Sequence, residues 1–138
     1  MTPKEYLEQA YQIDNRIQSK LTQVENLRSL ATKVTAAYGN NSYSPAPDCQ
    51  RLEKTIAKII DLENDIDKDI DRLVDLKKEI TETINALPDL RYRTILEMRY
   101  LSFRTWEQIA VALSVDIRHI YRLHGEALKK IKFSERCH

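Results

Sequence analysis

The sequence predicts an all-α protein. A long, coiled-coil-like antiparallel helical hairpin (residues 1–87) is expected to precede a domain of three short helices (residues 88–138). The chain has only 2 glycines and 4 prolines in 138 residues, whereas sheets need many turns and turns consume these residues. Two long segments repeat apolar residues at alternating spacings of four and three. After Pro88 this pattern gives way to three shorter amphipathic segments.

The first helix is predicted to begin almost at the first residue and to stop near Gly39. Thr2, Pro3 and Glu5 supply an N-cap, a first-turn proline and a capping-box acid. Residues 39–47 hold most of the helix breakers and form the expected loop. Between these limits runs a coiled-coil seam in which only Lys20 is polar: Tyr6, Ala10, Ile13, Ile17, Lys20, Val24, Leu27, Ala31, Val34 and Tyr38.

The second helix is predicted to have Asp48 as its N-cap and to end at Pro88. Its seam tolerates isolated charges and comprises Leu52, Ile56, Ile59, Glu63, Ile66, Ile70, Leu73, Lys77, Ile80, Ile84 and Leu87. Because the two helices are of similar length and the connection is short, they should fold back on each other as an antiparallel hairpin.

Apolar residues outside the two seams widen the apolar stripe on both helices. They are Leu7, Leu21, Leu30, Ile60, Leu62, Val74 and Leu76. A stripe wider than a two-helix seam needs a further partner. We expect that partner to be a second copy of the chain, which would give a homodimer through the N-terminal hairpin. The alternative is packing of the hairpin against the C-terminal domain.

Alternate acidic residues between Asp61 and Asp71 invite interpretation as a calcium-binding loop of the EF-hand type. Counted from Asp65, however, the sixth and twelfth positions are Ile70 and Leu76, where that loop needs Gly and Glu. The run is better interpreted as the solvated face of a helix. We therefore expect no metal site, and nothing else in the chain predicts a cofactor.

The two halves of the chain differ in charge. Residues 1–87 hold 12 Lys and Arg against 15 Asp and Glu, a net charge of −3, whereas residues 88–138 hold 10 against 6, a net charge of +4. The basic C-terminal half is the one expected to meet phosphates.

Capping signals divide this basic half into three helices. The first should run from about Asp89 to Leu101, and the second opens with the capping box Thr105 and Gln108. A tight turn follows at residues 114–116, with Asp116 as N-cap of the third helix. Two short helices joined by such a turn form a helix-turn-helix motif.

The front of the third helix is the predicted recognition surface for double-stranded DNA. Once Ile120 and Leu123 are assigned to the core, the residues left on or near the outer face are Ile117, Arg118, His119, Tyr121 and Arg122. Arginine can donate two parallel hydrogen bonds to guanine or clamp a phosphate. Arg104, Thr105 and the first amides of the second helix should meet the phosphate backbone.

The stretch from Ile95 to Ile131 resembles region 4 of bacterial sigma factors, the part that reads the minus 35 promoter element. The matching features are Leu96-x-x-Arg99-Tyr100, Thr105-Trp106-x-x-Ile109-Ala110 and Ala127-Leu128-Lys129-Lys130-Ile131. Through Trp106 and Tyr121-Arg122-Leu123-His124-Gly125, the chain also resembles a family of short phage and prophage proteins of Gram-positive bacteria. In these proteins a helical N-terminal half is joined to a sigma region-4-like helix-turn-helix domain, and they are regarded as transcriptional regulators.

Two departures limit the resemblance. Ser114 stands where this motif commonly has a turn glycine, and no segment corresponds to the sigma region that binds the minus 10 element. The second departure argues against a complete sigma factor.

The leading hypothesis is a sequence-specific transcriptional regulator of phage or prophage type that binds double-stranded DNA as a homodimer. One alternative is a terminase-like small subunit that recognises DNA for packaging, usually as a ring. The other is an interaction module that docks on RNA polymerase without touching DNA.

Enzymatic activity is not expected. No serine, cysteine or histidine has an acid-base partner at helical spacing, and no glycine-rich phosphate loop occurs. Cys49 and Cys137 are interpreted as free thiols. The sequence contains neither a signal peptide nor an apolar run of roughly 18 residues for a membrane span. A cytoplasmic protein is therefore expected, in the host bacterium if the gene belongs to a phage.

Overall fold

The computed structural model describes residues 1–40 and 45–133, with side chains for residues 1–33 and 49–133, and every regular element in these residues is helical. The elements are α1 (Pro3–Asn40), α2 (Pro45–Asn85), α3 (Leu90–Leu96), a π-helix (Glu97–Leu101), α4 (Trp106–Leu113) and α5 (Ile117–Lys130). The predicted all-α class is confirmed. Among the described helices, none carries an apolar stretch long enough to cross a membrane.

Helix α1 begins where the sequence predicts. The backbone N–H of Glu5 donates to Oγ1 of Thr2 (3.2 Å), and the Thr2 N–H donates to Oε2 of Glu5 (3.0 Å). This is the reciprocal capping box, which satisfies two amides that a helix start would otherwise leave unpaired.

The predicted start of the second helix is wrong. Asp48 is not an N-cap, because α2 begins at Pro45 and includes Asp48. Proline is compatible with a first helical turn, where backbone N–H groups have no intrahelical acceptor. Helix α1 ends at Asn40, next to Gly39, near which the sequence predicts its end. Of the predicted loop, residues 41–44 lie outside the described residues.

The chain forms two compact units, here called the terminal unit and the middle unit. The terminal unit comprises Met1–Ile13 and the chain from Leu73 onward, and the middle unit comprises Asp14–Arg72. The sequence predicts a domain boundary between residues 87 and 88. The breaks between the two units fall instead after Ile13 and after Arg72. The reason is that the first turns of α1 and the last turns of α2 share a core with the C-terminal helices.

In the middle unit, α1 and α2 run antiparallel. Lys20 pairs with Asp69 and Arg28 pairs with Glu63, so the partner's number falls as the number along α1 rises. Ile17, Val24 and Ile66 are buried. Two members of the predicted α2 seam, Ile56 and Ile70, are instead exposed. A straight helix turns every 3.6 residues and drifts from a strict 3.5-residue seam, which accounts for exposed positions at the edge of the packed face.

The presence of Lys20 in an otherwise apolar seam is explained by its ion pair with Asp69. Its Nζ lies 2.6 Å from Oδ2 of Asp69, and both side chains are about four-fifths buried (18% and 19% exposed). Substituting Lys20→Ala is expected to lower the free energy of unfolding by about 1–3 kcal/mol, because it leaves the Asp69 carboxylate partly buried without a donor. Urea unfolding measures this loss.

Lys33→Ala is the matched control, because Lys33 is an exposed lysine on the same helix. Replacing both Lys20 and Asp69 by Leu should recover most of the lost stability, since an apolar pair needs no desolvation of charge. Equal effects of Lys20→Ala and Lys33→Ala would contradict a stabilising role of the pair.

The terminal unit has a continuous apolar core. Its buried members come from both ends of the chain: Tyr6, Leu7, Ala10, Ile80, Ile84, Leu87, Tyr92, Ile95, Leu96, Tyr100, Ile109, Ile120, Leu123, Ala127 and Ile131. Leu76 packs against this core. Leu7 and Leu76, two members of the wide stripe, thus pack in or against the core that includes residues of the C-terminal helices.

The predicted helix from Asp89 to Leu101 forms with one change. Asp89 is its N-cap, as predicted, and Oδ1 accepts a hydrogen bond from the N–H of Arg91 (2.9 Å). The last five residues are wound as a π-helix, in which the N–H of Ser102 donates to the carbonyl of Glu97. A π-turn accommodates one more residue than an α-turn, so the side chains after Leu96 point in directions that the 3.6-residue period does not predict.

Candidate nucleic-acid interface

The start of α4 is fixed by the capping box that the sequence predicts. The N–H of Gln108 donates to Oγ1 of Thr105 (3.2 Å), and the N–H of Thr105 donates to Oε1 of Gln108 (2.9 Å). Thr105 and its neighbour Arg104 are both exposed. The amides of the first turn of α4 therefore lie beside an exposed hydroxyl and an exposed guanidinium.

The turn between α4 and α5 places Ser114 in the left-handed region, with φ 55° and ψ 43°. This conformation is the one that glycine adopts without a steric penalty, so Ser114 supports the glycine-type turn at some cost in backbone energy. The N–H of Val115 donates to the carbonyl of Ala110 (3.0 Å), which closes the turn. Asp116 is the N-cap residue of α5, as predicted, but its side chain makes no capping hydrogen bond.

The inward face of α5 is buried as the sequence predicts. Ile120, Leu123 and Ala127 are at most 5% exposed, and α5 packs against both α3 and α4. This packing holds the opposite face of α5 outward, because a helix has one orientation about its axis once its apolar stripe is buried.

The predicted recognition residues divide into two groups by exposure. Arg118, Tyr121 and Arg122 are exposed, whereas Ile117 and His119 are half-buried. Nη2 of Arg122 lies 2.6 Å from Nδ1 of His119. Because a guanidinium can only donate, His119 is the acceptor, and one donor of Arg122 is already engaged in the free protein. Of the predicted recognition residues on α5, the structure thus brings His119 and Arg122 into contact.

Acidic side chains lie at the N-terminal ends of both α4 and α5. Glu107 is in the first turn of α4 and Asp116 caps α5, and both are exposed. With Ala110, Val111 and Val115, they line a shallow groove of about 460 Å³ next to the turn. The surface is therefore mixed in charge, and the cations are concentrated at Arg118 and Arg122 and at Arg104.

Trp106 is the centre of a cluster of side chains that the sequence does not predict. The guanidinium carbon of Arg99 lies 4.5 Å from the Trp106 ring centroid. The rings of His124 and Tyr121 meet Trp106 edge-on, at centroid distances of 4.5 and 5.5 Å. The contact between Trp106 and Arg99 depends on the π-helix, which carries Arg99.

His124 is buried, with 9% of its surface exposed. Its Nε2 lies 2.6 Å from the hydroxyl of Tyr100, which is also buried. Burial lowers the pKa of His124 to about 4, and the positive charges of Lys4 and Arg99 act in the same direction. Burial likewise raises the pKa of the Tyr100 hydroxyl. Both side chains are therefore neutral near pH 7.

The comparisons with known proteins give one match. No curated protein matches the chain. No solved structure matches it either. A protein-family model matches residues 50–132, which include most of α2 and all of α3, α4 and α5, and its description is "Protein of unknown function (DUF1492)". Since the matched residues make up more than half of the 138-residue chain, the protein belongs to the DUF1492 family.

Proposed function

We propose that this protein is a sequence-specific double-stranded DNA-binding transcriptional regulator of phage or prophage type. In this proposal α4, the turn and α5 form a sigma region-4-like helix-turn-helix, and α5 is its recognition helix. The observation that carries the proposal is the division of α5 into a buried apolar face and an outer face where Arg118 and Arg122 are exposed. A helix of this kind fits the major groove with its first turns.

The phosphate contacts are assigned to Arg104, Thr105 and the start of α4. Arg104 provides an exposed cation, and the positive end of the α4 dipole lies beside it. Within the outer face of α5, Arg118 and Arg122 are proposed to read bases or clamp phosphates. His119 orients Arg122 through its Nδ1, and Tyr121 contributes an exposed ring and hydroxyl.

Substituting both Arg118 and Arg122 by Ala is expected to reduce affinity for a selected duplex about 100-fold or more. Each arginine with a paired hydrogen-bond contact contributes about 1–3 kcal/mol of discrimination. The duplex is obtained by selecting binders of the wild-type protein from random sequences, and affinity is measured by fluorescence anisotropy over a series of salt concentrations.

The control removes the same charge elsewhere, by substituting Lys54 and Lys58 on α2 with Ala. Both lysines are exposed and lie in the middle unit. Binding of the control should resemble that of the wild type. Retention of full affinity by the Arg118→Ala, Arg122→Ala variant, or no binding of any duplex by the wild type, would contradict the proposed function.

We also propose that the protein acts as a homodimer through the middle unit. This unit presents apolar side chains that are 40–52% exposed: Leu21, Leu30, Ile56, Ile60 and Ile70. Ile56 and Ile60 are one turn apart and Ile70 follows Ile56 by two heptads, a period that another helix of the same kind can match. Linking two recognition helices would raise the affinity for a pair of matching half-sites through effective concentration.

The Ile60→Glu substitution is expected to convert the dimer to a monomer, because it places a charge where the apolar contact would be buried. Lys54→Glu is its control on the exposed surface of the same helix. Sedimentation equilibrium measures the mass of each. A monomeric wild-type protein would contradict the dimer, and a ring of higher order would favour the packaging function instead.

A further inference from the structure

Trp106 occupies an unusual place at the beginning of α4. As the first residue of the helix it follows the Thr105 cap, and it is only half-buried. Three side chains from two other helices meet its ring: Arg99 from the π-helix, with His124 and Tyr121 from α5. One side chain thus connects all three helical segments that carry or flank the proposed DNA surface.

Arg99 is held in this arrangement at two points. Its guanidinium carbon lies 4.5 Å from the Trp106 ring centroid, and its Nη1 donates to the backbone carbonyl of Arg104 at 3.0 Å. The N–H of Arg104 in turn donates to the carbonyl of Met98 (3.0 Å). The backbone of Arg104, and with it the start of α4, is therefore tied to the π-helix by hydrogen bonds on both sides of the residue.

His124 provides the buried support for the Trp106 ring. It sits edge-on to Trp106 and is hydrogen-bonded to Tyr100 of the π-helix. Since His124 and Tyr100 are both buried, their rings cannot reorient without disturbing the core. Trp106 is consequently supported from the core side by His124, and it contacts the half-exposed ring of Tyr121 (47% exposed).

We propose that Trp106 is a positioning residue for sequence discrimination, held in place by Arg99. It orients the Tyr121 ring on the outer face of α5 and keeps that face in register with the phosphate-contacting end of α4. This inference rests on the proposed DNA-binding function. Tyr121 so held offers an apolar ring edge to a thymine methyl group and a hydroxyl to a neighbouring base or phosphate.

The cluster is tested first in the free protein. Trp106 is the only tryptophan in the sequence, so tryptophan fluorescence reports on this position alone. Removing the cation with Arg99→Met, or the ring with Tyr121→Ala, should change the intensity and emission maximum of Trp106. Lys129→Met removes an exposed cation near the end of α5 and should leave the emission unchanged. If neither Arg99→Met nor Tyr121→Ala alters the emission, the arrangement is overturned.

The positioning role is tested with two duplexes, the one selected by the wild-type protein and a scrambled duplex of the same composition. Arg99→Met and Trp106→Leu should lower the ratio of specific to non-specific affinity about tenfold. The dependence of non-specific binding on salt should not change, because no phosphate contact is removed. Arg99→Lys and Trp106→Phe, which keep a cation and a ring, should restore part of the ratio.

A merely structural role would reduce both affinities together, in proportion to the folded fraction, and would leave their ratio unchanged. That result would overturn the positioning role while the proposed function stands. Failure of the wild-type protein to bind either duplex would overturn the proposed function and this inference with it.

Discussion

Leu7→Ala is expected to destabilise the terminal unit by about 3–5 kcal/mol. Leu7 has no exposed surface and lies in the same apolar core as Ile109 and Ile120, although it is more than 100 residues away from them in the chain. The substitution leaves a cavity in a core that can relax only partly, which adds to the lost transfer free energy of the side chain. Chemical unfolding followed by Trp106 fluorescence measures the loss, because Trp106 belongs to the terminal unit.

Leu90→Ala is the matched control, with the same change in the same unit. Leu90 is 67% exposed and lies in the terminal unit. Its substitution should alter the free energy of unfolding by only about 0.5 kcal/mol. If Leu7→Ala had as small an effect, the N-terminal turns of α1 would not be part of the core around the C-terminal helices.

Acidification is expected to destabilise the protein through His124. The ordinary histidine pKa of 6.5 falls to about 4 in the folded protein, so the unfolded chain takes up the proton first as the pH falls. The contribution of neutral His124 to the free energy of unfolding is fully present above pH 6.5. It is lost progressively as the pH falls from 6.5 to 4. The full contribution is about 3 kcal/mol.

His124→Gln separates this effect from the titration of carboxylates. Glutamine has a polar side chain that can hydrogen-bond to Tyr100 but does not take up a proton near neutral pH. Between pH 7 and pH 4.5, the free energy of unfolding should fall more steeply in the wild type than in the variant. Parallel curves for the two proteins would show that His124 is not held neutral in the folded state.

Local signals in the sequence predict the helix starts in the C-terminal region well. Asp89 and the Thr105–Gln108 capping box form the predicted backbone hydrogen bonds, because a cap depends on residues within one turn of it. The same reasoning fails at Asp48, where a first turn containing proline begins the helix earlier. A proline is compatible with either a loop or a helix start, and its sequence neighbours alone do not distinguish them.

The distribution of apolar burial is less predictable. Leu7 and Leu30 look equivalent in the sequence, as apolar residues beside the same seam, yet one is fully buried and the other half-exposed. Periodicity identifies a face of a helix. Which part of that face is covered depends on the segments that pack there, and in the terminal unit those segments come from the other end of the chain.

For the candidate site, the sequence by itself determined that α5 has an apolar inward face and a cationic outer face, because a helical period converts residue spacing directly into direction. Only the tertiary structure decided that Arg99, Tyr121 and His124 meet around Trp106 and that His124 is held neutral. Those contacts need the changed register of the π-helix and the burial supplied by a core drawn from both ends of the chain. Such long-range packing leaves no mark in the local pattern of residues.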